Sequence, residues 1–240
     1  MLVKTRCIAL NPVKYSDSGI IARLYSREYG RLALMVKGSG RRKGRHGIMF
    51  QPLFVLDLEI YHRQSRELQT LKEPTVSFAP HNIYADVRKS CVAMFLGEVL
   101  VSVLREESPS EALFDFIEDS VKYYDSADEG FANFHLAFLA ALSSYLGFEP
   151  GRNTAGSNAF FDMQNGCFSA LPPVHGYYSD AENSSILAQI FDSSFDGVKH
   201  IAMTGSRRSS VLEDIIGYYN LHLPGLMHIK SLDTMRDIFG

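Results

Sequence analysis

Two spacings of apolar residues divide this chain. Up to about residue 78 they fall on every second position, the mark of strands with one buried face; further on they fall three or four apart, as on helices. Residues 3–10 read as a first strand ended by Asn11-Pro12, and Asp17-Ser18-Gly19 as a turn releasing a second run, Ile20 to Arg27. In that run Ile20, Ala22 and Leu24 share one face, with Ile21, Arg23, Tyr25 and Arg27 on the other. Glu28-Tyr29-Gly30 turns into a third run, which sorts Leu32, Leu34 and Val36 from Arg31, Ala33, Met35 and Lys37. A fourth, Leu53 to Tyr61, puts Phe54, Leu56, Leu58 and Ile60 inward, and a weaker fifth spans Leu68 to Val76. Five short strands joined as hairpins predict an OB-fold barrel, which binds oligonucleotides across its second and third strands; an SH3-like barrel would satisfy the same pattern.

The rest reads as helices. Asp86 to Arg105 is apolar on nearly every side, with Val87, Cys91, Met94, Phe95, Val99 and Leu100, which predicts a central helix covered by others. Ser108-Pro109-Ser110-Glu111 combines a capping serine, proline at the first helical position and glutamate three residues after the cap. Phe131, Phe134, Phe138, Leu142 and Tyr145 line a further helix that stops at Gly147. Glycines, asparagines and prolines between 150 and 180 mark a loop-rich insertion with a small hairpin at Asn165-Gly166, anchored by Phe160, Phe161, Phe168 and Leu171. Helices resume near Ser185 to Phe191, Ser206 to Leu221 and Ser231 to Phe239. The expected fold is therefore α+β: a five-stranded barrel over 1–78, then an all-helical domain over 79–240 carrying the insertion.

Charge changes the picture. The net value of -3 hides a polarised molecule, since residues 1–75 hold 14 Lys and Arg against 6 Asp and Glu, while the remainder holds 10 against 21. No acidic residue falls between Tyr29 and Leu56, a stretch that includes Lys37-Gly38-Ser39-Gly40-Arg41-Arg42-Lys43-Gly44-Arg45. Glycines among cations make a mobile loop suited to the irregular phosphates of a polyanion. The expected DNA-binding set is Arg23, Tyr25, Arg27, Arg31, Lys37, Arg41, Arg42, Lys43 and Arg45, with Tyr25 as a base-stacking ring among guanidiniums. Asp57 and Glu59, outward on the fourth strand, are expected to limit edge pairing and meet cations.

Catalysis finds little support. The glycines lack the spacing of a P-loop or dinucleotide fingerprint, no H-E-x-x-H or G-x-S-x-G motif occurs, and no acidic cluster is spaced for two metals. His135 falls on a helix with an aromatic core stripe, where a structural histidine is the expectation. Three separated cysteines, Cys7, Cys91 and Cys167, build neither a disulfide framework nor a four-thiolate zinc site, which fits a reducing cytosol. No stretch is long and apolar enough to span a bilayer, and the N-terminus lacks a signal-peptide core.

Several of these segments resemble the RecO family of bacterial DNA-repair and recombination mediators: Tyr15-Ser16-Asp17-Ser18-Gly19-Ile20-Ile21, Tyr29-Gly30 and Lys37-Gly38-Ser39-Gly40-Arg41-Arg42 near the start. Near the end, Leu212, Ile215, Tyr219, His222-Leu223-Pro224-Gly225 and Lys230-Ser231-Leu232 follow the family's order. The resemblance implies a non-catalytic cytoplasmic, nucleoid-associated protein without cofactor. It would bind single- and double-stranded DNA, anneal complementary strands and, with RecR, help load recombinase onto DNA coated by single-strand-binding protein. Carried to residues, it points to Lys37, Arg41 and Arg42, with Arg23 and Arg31 as an extension by strand position. It also suggests a groove in the helical domain for the acidic, apolar tail of single-strand-binding protein, with Arg207 and Arg208 as candidates to meet it. Many members carry a four-cysteine zinc site after the equivalent of Gly147-Phe148-Glu149-Pro150, where this chain keeps only Cys167; no metal is expected, with the aromatics and paired prolines as the staple. The alternative is a protein-interaction adaptor whose helical domain does the recognition while the barrel only contributes charge.

Overall fold

The computed structural model describes residues 1–16, 19–37, 47–104, 109–156, 158–223 and 229–239. Strands β1 (Leu2–Ser16), β2 (Gly19–Ser26), β3 (Gly30–Lys37), β4 (Val55–Tyr61) and β5 (Leu68–Phe78) close into a barrel in the order β1-β2-β3-β5-β4. β1 closes against β4 antiparallel, and β3 runs parallel to β5 over Ala33 to Met35. The closed five-strand order with β3 beside β5 is that of an OB-fold, so the SH3-like option falls away. β3 is consequently not joined to β4 as a hairpin. Alternation set the interior as expected: Ala22, Leu24, Leu32, Leu34, Val36, Leu56, Leu58 and Ile60 are buried with Cys7, Ala9 and Phe50.

Two expectations about strands fail for identifiable reasons. β1 does not end at Asn11-Pro12 but continues to Ser16, with an irregularity between Ala9 and Asn11 and Pro12 opposite Ala22. β4 accompanies β1 only as far as Ile8, so proline, which lacks a donor, sits where the strand has a neighbour on one side only. Nor does β4 need protection as an edge, because it is flanked by both β1 and β5. Its outward carboxylates do meet cations: Glu59 pairs with Lys4 at 3.3 Å and Lys72 at 2.7 Å, and Asp57 lies 3.8 Å from Arg6.

Contact clustering gives two compact units, Met1–Ser126 with Ile229–Ser231, and Ala127–His228 with Leu232–Gly240. The first adds three helices to the barrel: α1 (His81–Ala85), α2 (Val87–Val103) and α3 (Glu111–Ser126). The Asp86 carboxylate caps α2 by accepting from the Arg88 and Lys89 N–H groups, and the Arg88 side chain beside it holds its pKa low. α2 is not covered on every side, since Val87 and Met94 are exposed. Its Gly97 lies directly on β1: a Cβ there would stand 2.3 Å from the Leu10 carbonyl oxygen. Helix α3 starts two residues later than the proline suggested, with the Ser110 hydroxyl accepting from the Leu113 N–H at 3.3 Å; Ser108 lies outside the described residues. The buried Lys89 donates to the Tyr124 carbonyl at 3.2 Å near the C-terminal end of α3, where a cation is favoured.

The second unit contains α4 (Phe134–Tyr145), the strands β6 (Phe160–Asp162), β7 (Cys167–Ser169) and β8 (Tyr178–Ser179), then α5 (Ala181–Phe191), α6 (Phe195–Val198) and α7 (Gly205–His222), and all but the first residue of α8 (Ser231–Phe239). α4 ends at Gly147, φ 85°, with the Phe148 N–H donating back to the Ser143 carbonyl at 3.1 Å. The insertion forms the expected hairpin, Phe161 opposite Phe168, with β8 added. Phe161 packs among Phe168, Phe191 and Tyr218 at centroid separations of 5.1 to 5.3 Å. Leu171 and the prolines Pro172 and Pro173 are not in this core, with Leu171 and Pro172 exposed, so they do not staple it. A polar hub does the remaining work: the Asp162 carboxylate accepts from the Gln164 and Asn165 N–H groups at 2.9 Å and from the Asn165 amide at 2.8 Å, with His175 Nε2 at 3.2 Å. α5 starts before Ser185, because Asp180 caps it through the Asn183 N–H at 2.7 Å.

Candidate nucleic-acid interface

β2 and β3 present three outward rungs: Ile21 opposite Met35, Arg23 opposite Ala33 and Tyr25 opposite Arg31. The side chains of the first two rungs are half-buried. At the third rung Tyr25 is 2% exposed, because α3 lies over it. Its ring stacks on Phe114 with centroids 6.3 Å apart and its hydroxyl accepts from the Ser110 N–H at 3.3 Å; burial raises its pKa. Tyr25 is therefore not available to stack on a base. Arg27 is likewise committed. Its guanidinium forks onto the Asp115 carboxylate, reaches Glu111 at 3.3 Å and sits 5.8 Å from the Phe114 ring centre. These two members of the expected set hold a helix rather than a ligand.

Arg23 and Arg31 behave differently. Arg31 is exposed, Arg23 half-buried, and among the described residues neither side chain makes an ion pair. By contrast Arg6 lies 3.2 Å from Glu118, and Lys4 and Lys72 share Glu59. Lys37 closes β3 opposite Gly19, and the Lys37 side chain and Arg41, Arg42, Lys43 and Arg45 lie outside the described residues.

One cluster escaped the sequence reading. A cavity of about 400 Å³ opens between the β2–β3 turn and the β4–β5 loop, lined by Tyr29, Arg31, His62, Gln64, Arg66 and Glu67, with Glu28, Leu32, Gln69 and Pro109. The rings of Tyr29 and His62 lie 4.5 Å apart, tilted by 30°. The signal available was His62-Arg63-Gln64-Ser65-Arg66, a basic turn between the fourth and fifth runs. A second cavity on the barrel, about 510 Å³, sets Lys4 and Arg6 against four carboxylates, Glu28, Asp57, Glu59 and Glu73, an excess of negative charge that does not suit phosphate.

In the second unit the two adjacent arginines part company. Arg207 lines a cleft of about 520 Å³ with Ile186, Ala202 and Met203, pairs with Glu182 and donates to the Asn183 side-chain oxygen at 2.8 Å. Arg208 turns inward instead, donating to the Asn133 side-chain oxygen at 2.8 Å and to the carbonyls of Phe239 and Met203 at 3.3 and 3.4 Å; burial lowers its pKa. It is a structural tie, not a surface cation. His135 is buried too, and burial, with Arg208 second, pushes its pKa down to about 3. Among the described residues no three His, Cys, Asp or Glu side chains are grouped to hold a metal ion, and no helix is long and apolar enough to cross a membrane.

Residues 1–78 match the family model described as recombination protein O N terminal, and residues 84–233 the model for its C terminal part. The chain belongs to the RecO family. Relatives named DNA repair protein RecO align over the full length of both chains: those of Phocaeicola vulgatus and Bacteroides fragilis at 34% identity, and that of Flavobacterium psychrophilum at 31%. In this RecO family member the first matched segment is the barrel itself, β1 to β5.

Proposed function

We propose that this protein is a non-catalytic DNA-binding recombination mediator of DNA repair, acting in the bacterial cytoplasm at the nucleoid. It anneals complementary strands and, with RecR, helps load recombinase onto DNA coated by single-strand-binding protein. The working division is a DNA-binding barrel at 1–78 and a helical domain at 79–240. The observation carrying this reading is a pair of arginines, Arg23 and Arg31, that make no ion pair among the described residues, on the outer face of an OB-fold whose next segment holds Arg41, Arg42, Lys43 and Arg45. Cations that no described carboxylate neutralises suit the replacement of phosphate counterions. Family membership supports a role in DNA repair.

The helical domain supplies the protein contact in this reading. The cleft beside Arg207 has apolar walls, Ile186, Ala202 and Met203, but also holds Glu182, whose carboxylate pairs with Arg207, so an acidic, apolar peptide such as the tail of single-strand-binding protein binds here by displacing that carboxylate. Arg207 alone now carries that role.

A salt titration of single-stranded oligonucleotide binding tests the proposal. Replacing Arg41, Arg42 and Lys43 together by alanine is expected to flatten the slope of log affinity against log salt by up to roughly 2, at about 0.7 per phosphate contact. A triple variant with the parent's affinity and slope removes the segment from the interface. Arg23→Ala and Arg31→Ala variants that also match the parent remove the barrel face.

A further inference from the structure

We propose that the cavity between the β2–β3 turn and the β4–β5 loop holds one unstacked nucleotide of a DNA strand, its base on the Tyr29–His62 ring pair and its phosphate on Arg31 and Arg66. The inference rests on the DNA-binding reading above and deepens it by adding a site apart from the basic segment at 37–45.

The walls are built in advance. Gln69, 4% exposed, accepts from the Arg63 N–H at 2.8 Å and donates to the Arg63 carbonyl at 3.0 Å and to that of Arg66, so the loop backbone is fixed from inside. Residues His62 and Arg66 are thus presented with little ordering left to do on binding. The charge is available as well: among the described residues neither Arg31 nor Arg66 makes an ion pair, and Arg66 is exposed. The ring pair offers a π-face that any base can use.

The mixed lining decides between ligands. Glu28 and Glu67 also line the cavity, and their carboxylates would oppose a bare inorganic phosphate. A nucleotide turns that to advantage, because the edge of a base carries N–H groups for Glu67 and for the Gln64 amide while its phosphate goes to the arginines. A volume of about 400 Å³ is that of a small-ligand site and admits one nucleotide, not a stacked pair of strands.

The test uses the full chain, with fluorescence anisotropy of a labelled single strand and of a duplex of the same length across a salt series. Arg66→Ala is expected to flatten the single-strand slope by about 0.7. His62→Ala is expected to weaken single-strand binding roughly 5- to 100-fold without changing the slope, to leave duplex affinity unmoved, and to be rescued by His62→Phe, which keeps a stacking ring. Melting curves of each variant exclude unfolding as the cause. His62→Ala matching the parent, or weakening single strand and duplex alike, overturns the nucleotide site while DNA binding stands. Arg66→Ala acting alone, with His62→Ala silent, reduces it to a phosphate contact and also overturns it. A parent chain that binds no single strand at all takes down the wider reading, and this one with it.

Discussion

Replacing Gly97 by alanine adds one methyl group and should cost stability, against the general rule for helices. On an open helix the change stabilises by about 0.5–1 kcal/mol, because alanine has less backbone entropy to lose. Here the new Cβ would stand 2.3 Å from the Leu10 carbonyl oxygen and 3.0 Å from Pro52 Cβ. The obstacle is main chain, in the irregular stretch of β1 between Ala9 and Asn11, so no rotamer change relieves it. Because the obstacle is backbone at 2.3 Å, the cost falls in the upper part of the usual overpacking range, about 2–3 kcal/mol, leaving a net loss of about 1–2 kcal/mol after a helical gain of about 1 kcal/mol. For a chain of this size each kcal/mol moves the melting temperature by about 2–4 °C, so a fall of roughly 2–8 °C is expected. Thermal melts by circular dichroism, backed by urea midpoints, read it. A melting temperature equal to or above the parent's would refute the claim that α2 and β1 meet backbone to backbone at this point.

The role assigned to Arg27 has its own test: Arg27→Ala should lower the melting temperature by releasing α3, yet leave the salt slope of single-strand binding where it was, which an Arg27 that bound phosphate would not do. His135 makes stability depend on pH. Its pKa in the fold is about 3 against an ordinary 6.5, so the unfolded chain binds the proton more readily; the contribution is whole above about pH 6.5 and is lost as pH falls toward 3. At pH 5 this amounts to roughly 2 kcal/mol, and urea midpoints at pH 7.5 and 5 should differ less in a His135→Met variant than in the parent. Equal pH dependence in the two proteins would show that the imidazole is not held neutral by burial.

Alternation along the first 78 residues made the barrel legible because period-two patterning states which side chains share a face. It does not state what lies over that face. Tyr25 and Arg27 have the same spacing as Arg23, but Phe114, Asp115 and Glu111 reach them from more than eighty residues further along, a contact no local pattern encodes. Pro12 misled for a related reason, since the rule against proline in strands weakens where a strand has one neighbour, and pairing partners are non-local. The adjacent Arg207 and Arg208 were equivalent in sequence and differ in the fold, because helical geometry turns successive side chains by about 100° and only one of them meets Asn133. The cavity beside His62 was missed because its walls come from two turns that the chain brings together only after β5 returns beside β3.

With α3 seated at one end of the outer sheet, the part that no described element covers runs from Gly19 to Arg23, about 13 Å at the usual rise of strands. On the proposed DNA-binding reading, a polynucleotide that leaves so short a deck to follow the loops on either side has to bend. Single strands make that turn freely, whereas a duplex stays straight over some 150 base pairs unless work is done on it. On that same proposed reading, the seating of one helix would sort ligands by their stiffness before any base is read.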